Sequence, residues 1–292
     1  MLLGAAVAWG APGPEPIGTL TILDGEAQLV RDAATWQAPE GARLAAGDIV
    51  QTAAASRLVR LELAAGAAID LGPSTRVQLA PQLRGDPARR AAGLYLLEGW
   101  LKLTQGAAAQ GDGVLVASPL LDVTGVARDV VVAAHGEAVW AFAESGAVTL
   151  VPRQGGKPLA PVTLKAGEFL ERADGSKARP AVSARPTGTF LQQVPRAFRD
   201  TLPRRAALFQ ADAPAPKRLA PIAYADVQPW LAAEPDLRRG FVTRWRGAAR
   251  DADFRRALDA HLAAHPEWDR VLHPEKYRPR PAAKTPPPAP RY

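Results

Sequence analysis

The feature that most restricts this chain is the brevity of its apolar runs between Ile17 and Leu170. Leu58-Val59-Arg60-Leu61-Glu62-Leu63, Ala68-Ile69-Asp70-Leu71 and Arg76-Val77-Gln78-Leu79 alternate along the chain, the two-residue period of a β-strand. Leu94-Tyr95-Leu96-Leu97, Val114-Leu115-Val116, Val130-Val131-Val132, Ala138-Val139-Trp140-Ala141-Phe142 and Val148-Thr149-Leu150-Val151 continue the series. Runs this short, spaced roughly 8–12 residues apart, specify an all-β domain. Turn-forming pairs divide them: Asp24-Gly25, Gly47-Asp48, Ala65-Gly66, Gly72-Pro73, Glu98-Gly99, His135-Gly136, Ser145-Gly146 and Asp174-Gly175. Residues 84–92 read as a loop. The pattern fits a solenoid-like stack or a sandwich equally well.

After Pro186 the period becomes helical. Two short helices are expected around Pro195 and Pro203, within 190–211. Asp226 is expected to cap a helix through Trp230 and Leu231. Pro235 opens another, carrying Leu237, Phe241, Val242 and Trp245 on one side. Asp251 is a good N-cap for Phe254, Ala257, Leu258 and Leu262, and Pro266 starts a last short turn. Charge changes at the same place. Residues 1–182 hold 16 Lys+Arg against 18 Asp+Glu, whereas 183–292 hold 20 against 11. The expected organisation is therefore a β domain over 17–182, a helical region over 183–277 and an extended, disordered Pro-rich tail over 278–292.

The first 16 residues read as a truncated signal peptide and linker. Leu2-Leu3-Gly4-Ala5-Ala6-Val7-Ala8 is apolar and ends in small residues, and Pro12, Pro14 and Pro16 follow. The run is too short to span a bilayer. The location expected is periplasmic or secreted. Cysteine is absent, which excludes disulfides, thiolate metal sites and a cysteine nucleophile.

Several ordered elements of the β region resemble the FecR domain family. Gly25-Glu26-Ala27-Gln28-Leu29-Val30 is similar to its opening strand. Leu44-Ala45-Ala46-Gly47-Asp48-Ile49-Val50-Gln51-Thr52 is similar to its Gly-Asp element. Ser56-Arg57-Leu58 through Leu63, Gly66, and Ala68 through Val77 with Pro73 and Ser74 are similar to the block that follows. Leu97-Glu98-Gly99 resembles a later strand. The resemblance covers about residues 17–172 and is most specific from Gly47 to Val77. Where the family often carries Arg-Gly-Thr, this chain reads Val123-Thr124-Gly125-Val126. The resemblance implies a periplasmic sensing or interaction domain, without the anti-sigma and membrane segments that some members carry. Gly47, Asp48, Thr52, Gly66, Pro73 and Ser74 are expected to serve the fold: glycines at tight turns, Asp48 and Thr52 bonding turn amides.

Little in the sequence points to chemistry. No catalytic residue, cofactor or metal ligand is expected, and the chain reads as a non-enzyme. His261 and His265 have helical i, i+4 spacing, but Leu262 stands where a zinc protease has glutamate. No third ligand is evident, although Glu267, Asp269 or His273 could approach. The serines sit in turns, and no phosphate-binding glycine loop is present. Arg238, Arg239, Arg244, Arg246, Arg250, Arg255 and Arg256 cluster around Phe241 and Trp245, a pattern suited to an anionic polymer. Nucleic acid is disfavoured by the export signal. Three roles are thus expected in order: an envelope interaction or sensing module bound to an envelope protein or cell-wall polymer, a cell-wall carbohydrate binder or processing protein, and anionic-polymer binding through the basic helices.

Overall fold

The computed structural model describes residues 15–106, 113–172 and 180–278. The expected signal peptide, the Asp174-Gly175 turn and all but Arg278 of the expected Pro-rich tail lie outside them. The protein is mainly β. In chain order the strands are β1 (Gly18–Asp24), β2 (Ala27–Arg31), β3 (Ala34–Gln37), β4 (Arg43–Leu44), β5 (Ile49–Thr52), β6 (Leu58–Leu63), β7 (Ala67–Leu71), β8 (Arg76–Leu79) and β9 (Leu94–Gln105). Then come β10 (Val116–Ala117), β11 (Leu121–Val126), β12 (Asp129–His135), β13 (Ala138–Ser145), β14 (Val148–Gln154), β15 (Lys157–Pro158), β16 (Val162–Leu164), β17 (Phe169–Arg172), β18 (Ala181–Ser183) and β19 (Lys217–Pro221).

Their pairing resolves into two sheets. Sheet A runs β4-β1-β6-β7-β9-β12-β13-β17-β18, and sheet B runs β19-β3-β2-β5-β8-β9-β10-β11-β14-β16. Neighbours are antiparallel except β9 and β10. The long β9 belongs to both sheets. Leu94–Leu96 pair with β8, and Leu101–Gln105 pair with β7. The strand crosses over at Gly99, whose φ is +98°. A Cβ there would lie 2.4 Å from the Thr75 Cα, so the crossover needs glycine both for its φ and for its space.

One apolar core lies between the sheets. Leu20, Leu61, Ile69, Leu103 and Val132 of sheet A meet Leu29, Val50, Val77, Leu96 and Leu150 of sheet B. This is a sandwich, the choice the alternating runs had left open. The unbroken runs have a physical reason: both outer faces are also covered. In β12, Val130 and Val132 enter the central core, while Val131 and Ala133 face the other way into a second cluster.

The chain after Ser183 makes these covers. α1 (Gly188–Gln193) lays Phe190 on the outer face of sheet A, where its ring sits 4.9 Å from Phe169, 5.7 Å from both Trp100 and Phe142, and 6.1 Å from Trp140. The next 12 or so residues are strapped down by the polar side chains of that face. Lys102 Nζ donates to the Phe198 carbonyl at 2.6 Å, Arg60 Nη1 donates to the Leu202 carbonyl at 3.0 Å, and Glu62 accepts from the amides of Arg205 and Ala206. Arg60 itself is buried in a two-point ion pair with Asp70 at 2.6 and 2.7 Å. Such a buried charge is tolerable because each guanidinium nitrogen of Arg60 has a hydrogen-bond partner.

The chain then crosses back, adds β19 to the edge of sheet B, and covers that sheet's outer face with α2 (Tyr224–Leu231), α3 (Pro235–Arg244), α4 (Ala252–Ala260) and α5 (Asp269–Leu272). Trp230, Leu237, Phe241 and Trp245 pack there with Val30, Ile49 and Tyr95. The expected helices after Pro235 and Asp251 begin at those positions. Asp226 is not an N-cap. α2 begins earlier, and Asp226 on its first turn reaches back to accept from the Ala223 amide at 2.8 Å. Residues 196–199 and 206–209 form 3-10 turns in place of an expected helix.

Candidate functional site

With most of both outer faces covered, one stretch of sheet B stays open. The helices cover the row Val30, Ile49, Gln78 and Tyr95, which register places side by side on β2, β5, β8 and β9. Two residues along β2, β5 and β8 the same face carries another row, which a bulge in the β8–β9 pairing extends to Glu98 of β9. Lys217 pairs with Gln37, Gln37 with Gln28, Gln28 with Gln51, Gln51 with Arg76, and Arg76 with Glu98. Six strands therefore set polar side chains in one line, about 24 Å long at the usual interstrand spacing. The central members open into a cleft of about 620 Å³, walled by Trp36, Leu219 and the β1–β2 turn, with Ala225 and Asp226 of α2 on the other side.

The row is internally ordered. Gln51 is bonded on every side: Arg76 Nε at 3.0 Å, Trp230 Nε1 at 3.3 Å, Gln28 Oε1 at 3.2 Å and the Asp226 carbonyl at 3.2 Å. Arg76 also pairs with Glu98. Burial holds the Arg76 guanidinium below its ordinary pKa range. Carboxamides neither gain nor lose protons near neutral pH, so the line offers fixed hydrogen-bonding groups.

The motif residues serve the sandwich. Gly47 and Gly66 sit at φ of +84° and +87°. Asp48, 2% exposed, accepts from the Ala45 amide at 2.7 Å and from Arg31 at 2.9 and 2.7 Å. Thr52 donates to the Gly72 carbonyl at 2.6 Å and accepts from the Thr75 amide at 2.8 Å, closing the turn that contains Pro73 and Ser74. Ser74 holds a φ of +49°.

The seven arginines are scattered in role. Arg244 is drawn inward and donates to the carbonyls of Gly47, Val30 and Asp32. It thereby ties α3 to the Gly47-Asp48 turn, so the family-like turn and the basic helices meet at one point. Arg238 pairs with Glu267 at 2.9 Å, and Arg239 lies 3.9 Å from the same carboxylate. Arg255 donates to the Leu272 carbonyl, and the largely exposed Arg256 pairs with Asp253. Arg246 and Arg250 are exposed.

His261 and His265 do not share a helix face, because α4 ends at Ala260. His261 stacks on Tyr224 at 5.4 Å, and buried His265 meets the Tyr224 hydroxyl at 3.2 Å. Among the described residues no three His, Asp or Glu side chains gather as metal ligands, and no helix is long and apolar enough to cross a membrane.

The glutamine row was not anticipated. Gln28, Gln37, Gln51 and Arg76 follow no regular spacing, and only strand register lines them up. The available signal was polar residues at the outward positions of runs otherwise apolar on both faces, as in Val50-Gln51-Thr52.

No family model matches this chain, and no curated protein matches it. Two crystal structures, each of a provisionally assigned anti-sigma factor from Parabacteroides distasonis, are similar to it. One is 14% identical, aligned over 50% of this chain and 64% of its own length with a TM-score of 0.37. The other is 13% identical, over 47% and 59%, with a TM-score of 0.36. The chain thus spans less than two thirds of either protein.

Proposed function

We propose that this protein is a non-enzymatic interaction or sensing module of the bacterial cell envelope, of FecR type, periplasmic or secreted. The carrying observation is the open cleft on an otherwise covered sheet, lined by a row of amides in which Gln51 is held by four hydrogen bonds. Amide side chains suit recognition of a ligand through fixed donors and acceptors. The FecR-like elements between Gly47 and Val77 support the type, and the apolar leader supports export.

Two measurements test this reading. A fusion of the full chain to a reporter active only in the periplasm should be active. Purified protein should also co-sediment with isolated sacculi or with another envelope component. A silent reporter with the fusion retained in the cytosol would overturn the reading.

A further inference from the structure

We infer that the cleft binds an uncharged, hydroxyl-rich glycan through Gln28 and Gln37, an inference that rests on the envelope-binding reading. The orientation of one amide sets the pattern. The Gln51 oxygen position is met by two groups that can only donate, Arg76 Nε and Trp230 Nε1. That atom is therefore Oε1, and Gln51 Nε2 must be the atom that donates to Gln28 Oε1 and to the Asp226 carbonyl. Gln28 Oε1 is thus engaged, and its own NH2 group has no partner among the described residues. Gln37, next in the row and exposed, has a whole amide without one. The covering helices, through Trp230, fix the donor pattern of an open cleft.

The chemistry of the ligand follows from three properties of this row. Adjacent amides present donors and acceptors side by side, which matches neighbouring hydroxyls, each both donor and acceptor. The cleft is not basic although the chain carries +7: its wall has Glu26 and Asp226 against one arginine, and Arg76 is already paired with Glu98. An anionic polymer finds no field there. The backbones of β3, β2, β5 and β8 are paired on both sides, so an extended peptide cannot add as a strand within the row. Trp36 supplies the one aromatic side chain of the lining, at the cleft's edge, where it packs against the core between the sheets with its indole nitrogen buried. A cleft of about 620 Å³ falls within the range that holds a small ligand segment.

The test is calorimetric titration of the full chain with N-acetylglucosamine tetramer and with glucose tetramer. A heparin tetrasaccharide and an uncharged decapeptide serve as parallel arms. At least one neutral tetrasaccharide should saturate, with little change in affinity between low and high salt. Gln28→Ala and Gln37→Ala should each weaken it about fivefold, with the melting temperature unchanged. Three results overturn the inference: no neutral tetrasaccharide binds at millimolar concentration, both variants bind as well as the parent, or only heparin or the peptide binds. Sacculus co-sedimentation separates this failure from that of the parent reading. Parent and Gln28→Ala/Gln37→Ala protein retained alike would leave envelope binding standing and remove the cleft from it. Tetrasaccharide binding with a silent periplasmic reporter would do the reverse.

Discussion

Tyr95 and Glu234, 139 positions apart in the chain, meet through a 2.8 Å hydrogen bond from the phenol to the carboxylate. The same Glu234 oxygen accepts from Arg89 Nη2 at 2.8 Å. Arg89, 1% exposed, also faces Asp122, which Arg153 approaches from the other side at 2.8 Å. Burial pushes the Tyr95 phenol well above its ordinary pKa, with Glu234 adding to the effect, so the phenol stays a donor. Burial likewise lifts the Asp122 carboxyl against the pull of Arg89 and Arg153. This network fastens Glu234, the N-cap position just before α3, to the sandwich.

Glu234→Ala should therefore cost about 3 kcal/mol, the lower end for breaking a buried pair, because Asp122 still faces Arg89. Urea denaturation followed by tryptophan fluorescence reads it, since Trp230, Trp245 and Trp268 all lie in the helical cover. An unchanged midpoint would show that the helices dock by apolar contact alone.

Two glycines of similar φ separate conformational strain from crowding. Gly66, at +87°, has open space where a Cβ would go, so Gly66→Ala should cost only the backbone term, about 1–2 kcal/mol. Gly99, at +98°, would drive its Cβ into Thr75 at the crossover of β9, so Gly99→Ala should cost clearly more and impair expression. Equal melting temperatures for the two variants would contradict the role given to the crossover.

Burial lowers the pKa of His265, opposed by a backbone hydrogen bond, with His261 and Arg238 lowering it further and Glu267 raising it. The unfolded chain then binds a proton on this histidine at a higher pH than the folded one does. Its contribution to stability is complete above the ordinary histidine pKa, near 6.5, and is lost as pH falls through that value toward the folded pKa. Melting temperature should decline from pH 7 to pH 5, and His265→Gln should flatten the decline. A slope that is the same in the variant would assign the effect to other groups.

How legible this molecule was in its sequence depended on whether the cause of each element is local. Asp251 is a local cause: its Oδ1 accepts from the amides of Asp253 and Phe254 at 3.0 and 2.9 Å, as an N-cap must. Asp251→Ala should cost about 1 kcal/mol in a thermal melt. Pro235, at the start of α3, is equally local. The strand β19 was not legible, since Lys217-Arg218-Leu219-Ala220-Pro221 carries no alternating burial and exists because β3 offers an edge. Nor was the strap over sheet A, because Lys102 and Arg60 hold backbone carbonyls that any sequence would supply. The candidate cleft falls in the same class: its residues stand in line only through pairing between strands.

The covers make a prediction about domain boundaries. Ending the chain at Arg185 would bare Trp100, Phe142 and Phe169 on one sheet and Val30, Ile49 and Tyr95 on the other, two contiguous apolar faces of the kind that drive aggregation. Residues 15–185 alone should be insoluble or bind a hydrophobic dye strongly. A monodisperse truncated protein with unchanged far-ultraviolet dichroism would show that the sandwich stands without its covers. The outcome also decides how polyanion binding must be tested. A chain that cannot lose its helices must be tested by reversing the exposed charges Arg239, Arg246, Arg250 and Arg256 to glutamate in the full chain. If those arginines hold a polyanion, heparin retention and its salt dependence should fall with no change in melting temperature.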